Sequence, residues 1–208
     1  MRRLIKVGLT GGIATGKSTT LRHWQKARAA GIDTDELAHQ ALAPHTPTWN
    51  EVVRTFGVEI LNDDETVNRR RLGEIVFADE PKRLTLNRII HPVVHQMWTG
   101  EMEKAERHGK AEVAVVAIPL LYEVAAEASF DCVVVVGCSE QTQLARLAQK
   151  GLDEIPARAR IRAQWPLQEK MDRADFVIWN DGSLPVLAEQ ADVIWETIKE
   201  TYHAATKN

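Results

Sequence analysis

Apolar and polar positions along this chain follow two different periods. The run Leu4-Ile5-Lys6-Val7-Gly8-Leu9 is almost continuously apolar, as a strand buried on both faces should be. Over 18–30 the spacing becomes helical, with Leu21, Trp24 and Ala27 on one face. Residues 29–32 predict a weak second strand, interrupted by Gly31. Valine-rich runs at 113–118 and 133–137, bounded by breakers, predict further buried strands. A shorter one at 176–179 ends in the turn signal Asn180-Asp181-Gly182. Leu187, Ala191, Ile194, Trp195, Ile198 and Tyr202 then recur at helical spacing, so the chain closes on an amphipathic helix. Strands alternating with helices predict a doubly wound α/β fold on a parallel sheet.

Two stretches break the alternation. Residues 48–110 are helical in pattern with charged faces. Residues 141–173 are rich in basic side chains, among them Arg146, Lys150, Arg158, Arg160, Arg162, Lys170 and Arg173. The predicted organisation is a core built from 1–47, 111–140 and 174–208, a helical insertion over 48–110, and a basic lid over 141–173.

Between the first strand and the first helix lies Gly11-Gly12-Ile13-Ala14-Thr15-Gly16-Lys17-Ser18, which fits the phosphate-binding loop G-x-x-x-x-G-K-[ST]. Strand, glycine loop and helix in that order are the context such a loop requires. Its glycines let successive N–H groups turn inward on phosphate oxygens, and the helix start adds its positive end. Gly12, Ile13, Ala14, Thr15, Gly16, Lys17, Ser18 and Thr19 are the candidate contacts to a nucleoside triphosphate. Lys17 would reach the β- and γ-phosphates, and Ser18 would ligate Mg²⁺. The expected cofactors are therefore ATP and Mg²⁺.

Composition narrows the field. Over 208 residues the formal charge is only −3, which argues against a bulk nucleic-acid binder. No apolar run reaches membrane-spanning length, and the N-terminus leads directly into a core strand. Cys132 and Cys138 lie in or beside one apolar run, too far apart in an extended chain to bridge. They are expected as buried thiols of a reducing cytosol, and the chain as cytoplasmic, without a membrane partner. The pattern does not give an oligomeric state.

Three classes of protein carry such a phosphate loop. A GTPase switch needs DxxG and [NT]KxD, and neither is present. A motor ATPase needs an apolar strand ending in Asp, but the 113–118 strand runs into Pro119-Leu120-Leu121-Tyr122-Glu123. Ile75 to Glu80 imitates that signal inside a helical, charged stretch. A small-molecule kinase needs the loop, an acceptor carboxylate, a substrate insertion and a basic lid, and all four are here. Asp33, beyond the second strand, is the candidate base, since strand ends of a doubly wound sheet share one crevice. Asp35 is well placed to cap a helix over 36–42. Alternatives are another small-molecule or nucleoside monophosphate kinase and, from a different class, a regulator that binds ATP without transferring phosphate.

Over nearly its whole length the chain resembles the dephospho-CoA kinase family. Gly8 to Thr19 is close to that family's phosphate loop, and Asp33-Thr34-Asp35 is similar to its Asp-Ala-Asp. Ile90-His91-Pro92, Pro119-Leu120-Leu121-Tyr122-Glu123, Ile161 with Gln164, and Ala174-Asp175 with Ile178 and Asn180 follow in the family's order. The resemblance implies phosphorylation of the ribose 3′-hydroxyl of dephospho-CoA, with Asp33 as base and Lys17 and Arg146 neutralising the transferring phosphoryl group. It further implies Asp33, Asp35, His91 and Leu120 as substrate contacts, residues 48–110 as the dephospho-CoA domain, and Asn180 near the adenine. His39 and Lys150 stand where the family has Arg. His91-Pro92 also fits a simple N-cap with Pro at N1 of a helix running to Arg107, and the lid's basic residues also fit a solvated helix face.

Overall fold

A computed structural model of the chain describes residues 3–204. Its strands are β1 (Ile5–Gly11), β2 (Ala30–Asp33), β3 (Val113–Ala117), β4 (Cys132–Gly137) and β5 (Phe176–Trp179). Its helices are α1 (Lys17–Lys26), α2 (Thr34–Ala41), α3 (Pro47–Phe56), α4 (Arg69–Ala78), α5 (Glu80–His108), α6 (Glu140–Gln149), α7 (Glu154–Arg162), α8 (Leu167–Asp172) and α9 (Leu184–Ala204). The chain forms two compact units, divided at Asp33/Thr34 and at Gly100/Glu101. The sequence placed those borders at 47/48 and 110/111.

In the first unit all five strands are parallel, in the order β2-β3-β1-β4-β5. β3 and β4 are buried along their whole length, which is why their sequences are valine runs rather than alternations. One face of the sheet offers Val7, Leu9, Val115, Val134 and Val136 to Leu21 and Trp24 of α1 and to Leu187, Ala191, Trp195 and Ile198 of α9. Trp24 is fully buried, and its indole N–H donates to the Ala191 carbonyl at 3.0 Å. Burial of side chains of this size stabilises the fold by about 1.5–3 kcal/mol each. The edge strand β5 leaves Val177 and Trp179 exposed.

The second unit, 34–100, has its own core of Val52, Phe56, Ile60, Leu72 and Val76, with Leu86 and Ile89 packed against it. A 3₁₀ turn at Val58–Ile60 and an antiparallel bridge between Leu61 and Val67 interrupt the helices there.

Some boundaries differ from expectation for local reasons. α1 stops at Lys26 rather than near residue 30. Arg28 takes the left-handed conformation (φ 71°), and Ala29 N–H closes back on the Trp24 carbonyl. This is the closure glycine usually marks, but no glycine marks it here. α2 begins at Thr34, so Asp35 lies inside its first turn rather than serving as its cap. Its charge still complements the positive helix end. His91-Pro92 does not start a helix either. Pro92 lies in the interior of α5, whose N-terminus is built by Asp79, accepting from Lys82 N–H at 3.0 Å, with Pro81 following. The stretch that imitated a strand ending in Asp is thus a helix-to-helix junction.

Candidate active site

The phosphate loop leaves β1 at the middle of the sheet, where both neighbouring strands hold it in register: Leu9 opposite Ala117 and Gly11 opposite Val136. At Gly11 the backbone has φ 143°, and a Cβ would lie 2.1 Å from the Val136 carbonyl oxygen. At Gly16 φ is 115°, and a Cβ would lie 2.3 Å from Asn180 Nδ2. Both positions therefore require glycine by conformation and by space. Between them Ala14 holds a left-handed φ of 59° without that freedom.

The loop's carbonyls are turned outward and tied down from behind. Gln143 Nε2 donates to Ile13 O at 2.7 Å, and Asn180 Nδ2 donates to Thr15 O at 2.7 Å. Arg146 Nη1 donates to Ala14 O and Thr15 O, each at 3.2 Å, while its Nη2 reaches Asn180 O at 2.9 Å. Thr15 Oγ1 closes on Gly12 O at 2.9 Å. With the carbonyls engaged on this side, the loop's opposite face is left to N–H groups and the start of α1, a favourable surface for phosphate. Lys17 Nζ donates to Gly12 O at 2.8 Å and to Gly11 O at 3.2 Å, which carries its ammonium back over the loop. One N–H of the set is already engaged: Ile13 N donates to Gln164 Oε1 at 2.8 Å.

Ser18 lies in the first turn of α1 and is exposed. Among the described residues no three His, Cys, Asp or Glu side chains cluster as a metal cage. One hydroxyl beside a phosphate loop is the donor set of a Mg²⁺ held mainly by phosphate oxygens and water, so the residues present fit that ion.

Asp33 is the last residue of β2 and pairs with Ala117, which on its other side pairs with Leu9. β3 lies between β1 and β2, a strand order that the sequence alone does not state. Two strand spacings amount to roughly 10 Å. Asp33 therefore stands on the same sheet edge as the loop with room between for a phosphoryl group and an attacking hydroxyl. Its side chain is half-buried.

Arg146 and Asn180 are both at the loop, but as braces. Three of the guanidinium's five N–H donors go to main-chain carbonyls, and the Asn180 side chain is buried under the loop. Beside Asn180, Asp181 accepts from the N–H and the hydroxyl of Ser139, and the main-chain bond foremost holds its carboxyl below the usual range.

Leu120 lies in the turn after β3, where Pro119 O accepts from Thr10 Oγ1 at 3.3 Å and from Lys170 Nζ at 3.1 Å. Lys170 is wholly buried and paired with Glu123 at 2.7 Å. It is no part of a solvated helix face. Arg173 lies over the rings of Tyr122 and Trp165, and Arg158 pairs with Glu154 and Glu140. Burial pushes the Cys132 thiol up to about 12 and the Cys138 thiol up to about 11, so both stay protonated and inert near neutrality.

In the second unit, Asp35 is exposed on α2, and its charge opposes the effect of burial on Arg69, whose affinity for its proton is lowered overall. His91 is half-buried on α5, and burial lowers its basicity. This unit also holds a cavity of about 570 Å³ lined by Thr55, Phe56, Ile75, Lys82 and Thr85, among others.

Pattern reading missed Gln143 altogether. A neutral amide three residues before Arg146 on α6 carries no chemical signature, and only its placement on the loop-facing side of that helix distinguishes it.

The dephospho-CoA kinase family model matches residues 5–185. A dephospho-CoA kinase of Anaeromyxobacter dehalogenans is 44% identical over 187 residues, covering 89% of this chain and 88% of its own. A crystal structure from Thermus thermophilus superposes with a TM-score of 0.77 at 30% identity, covering 94% of this chain and 98% of that one. The dephospho-CoA kinase of Campylobacter jejuni superposes with a TM-score of 0.67 at 28% identity, with the same coverage. Phosphate loop, parallel sheet and sequence likeness agree over most of the length: the chain belongs to the dephospho-CoA kinase family.

Proposed function

We propose that the chain transfers the γ-phosphate of ATP to the ribose 3′-hydroxyl of dephospho-CoA, the last step of coenzyme A synthesis. The observation that carries the mechanism is the register that puts Asp33 on the loop's edge of the sheet, one strand removed from β1. Asp33 accepts the proton of the 3′-hydroxyl as its oxygen bonds to the γ-phosphorus. The bond from that phosphorus to the β-bridging oxygen breaks, and ADP leaves. Lys17 neutralises charge on the β- and γ-phosphates, and the loop's N–H groups hold them in line. Ser18 would hold Mg²⁺, which supplies further charge neutralisation when bound.

Arg146 and Asn180 serve the reaction by fixing the loop's shape, so that little reorganisation remains at the moment of transfer. Asp35, His91 and Leu120 are assigned to the acceptor, with residues 48–110 holding dephospho-CoA and 141–173 excluding water. Water exclusion limits hydrolysis of ATP in place of transfer.

The test is ADP release with dephospho-CoA, adenosine monophosphate and shikimate as competing acceptors. Acceleration by dephospho-CoA alone is expected, and its absence rejects the assignment. Asp33→Asn should abolish most of that acceleration, whereas unchanged turnover would remove Asp33 as the base.

A further inference from the structure

We infer that Gln164 is a positioning residue of the phosphate loop, holding Ile13 and through it the left-handed turn at Ala14. The inference rests on the kinase reading only in assigning the loop to a triphosphate.

Gln164 follows α7, and its own N–H closes that helix on the Ile161 carbonyl at 3.2 Å. The next residue is fixed as well, since Trp165 N–H donates to Glu123 Oε1 at 2.9 Å. Glu123 is in turn anchored by the buried Lys170. The backbone that carries the carboxamide is thus held on both sides before the side chain reaches the loop. Its Oε1 accepts from Ile13 N–H at 2.8 Å, and Gln143 donates to Ile13 O at 2.7 Å. Two side-chain amides therefore grip the two peptide units that flank Ile13.

That grip bears on the next residue. Ala14 has φ 59°, a conformation that residues with a Cβ avoid and that persists only where the surroundings over-determine it. Gln164 and Gln143 fix the peptides before Ala14, and Arg146 fixes the one after it through Ala14 O. Of these contacts, Gln164 alone engages a donor of the loop. An N–H that would otherwise compete among alternative acceptors is assigned to one. Ile13 then serves the phosphate through the shape of the backbone rather than by donating to it. The segment 141–173 contributes this neutral contact to the loop in addition to its charges.

The test uses the full chain with Gln164→Met, which keeps length and removes the acceptor, and Gln164→Glu, which keeps an acceptor. Amide exchange of Ile13 by NMR and binding of a non-hydrolysable ATP analogue by calorimetry are the readouts. In Gln164→Met, Ile13 exchange should accelerate at least tenfold, and the analogue should bind roughly 5- to 50-fold more weakly, as one orphaned N–H implies. The exchange protection should return in Gln164→Glu, which a merely structural loss of packing would not produce. Ile13 protection unchanged in the Met variant, or analogue affinity within twofold of the parent, overturns the inference. Neither readout involves the acceptor, so a failure of dephospho-CoA phosphorylation would reject the proposed activity and leave this result separate.

Discussion

Asn180 Nδ2 and the Thr15 carbonyl meet at 2.7 Å beneath the phosphate loop, one closing β5 and the other preceding the glycine that starts α1. The side chain is buried, so removing it leaves the Thr15 carbonyl with Arg146 Nη1 at 3.2 Å alone and no solvent to replace the lost amide. Asn180→Ala should cost about 1–2 kcal/mol and lower Tm by roughly 2–8 °C. The KM for ATP should rise with it, because Gly16 and Arg146 both lean on the same residue. Thermal melts and ATP titration decide the matter; a variant as stable as the parent would show that the contact contributes nothing.

Lys17 is expected to matter for chemistry far more than for folding. Its ammonium donates, among its contacts, to the Gly12 and Gly11 carbonyls, which polar solvent can replace. Lys17→Ala should lower kcat at least roughly 10²-fold, the usual worth of one preorganised charge at a transition state. Tm should stay within a few degrees. A loss of only a few-fold in single-turnover rate would place Lys17 away from the phosphates.

Lys170 and Glu123 should behave as one unit. Breaking a buried pair strands a charge and typically costs about 3–5 kcal/mol. Lys170→Met and Glu123→Gln should each be strongly destabilised in urea, while the double variant should be less destabilised than the sum of the two. Additive effects would mean that the 2.7 Å contact is not a coupled pair.

Burial holds His91 below the ordinary histidine value of 6.5. The unfolded chain then takes up a proton that the folded chain resists. Stability is full above the unfolded value and declines as pH falls below it, until His91 protonates in the folded state too. His91→Gln should flatten the fall of the urea midpoint below roughly pH 6.5 relative to the parent. Parallel curves for the two proteins would remove His91 as the source.

The elements with strong, uninterrupted patterns were legible in the sequence alone: the glycine loop, the three apolar strands around it, and the closing helix. Their signals are local, since a run of valines or a glycine spacing states its own surroundings. Asp33 was legible for a different reason, as a carboxylate at a strand end beside a phosphate loop. Sheet order was not, because no residue of β1 or β2 announces that β3 lies between them. Pro92 misled because proline more often starts a helix than sits in its interior. Lys170 misled because a lysine in a segment rich in basic residues has the pattern of a solvated face, and only the distant Glu123 reverses it. Arg146 was found but given a single task, although it spends three donors on carbonyls that the sequence cannot place.

The contacts that shape the phosphate loop also set an order of events during synthesis. Gln143 reaches back across 130 positions and Asn180 across 165 to residues made that much earlier. The loop therefore acquires its outward-turned carbonyls only once Asn180 has been made. Until then β1 and α1 can form, but the loop glycines lack the braces that hold them for a triphosphate. Nucleotide capture by the emerging polypeptide then reports that the last strand has been made, and nascent chains that end before Asn180 should pass through an ATP column unretained.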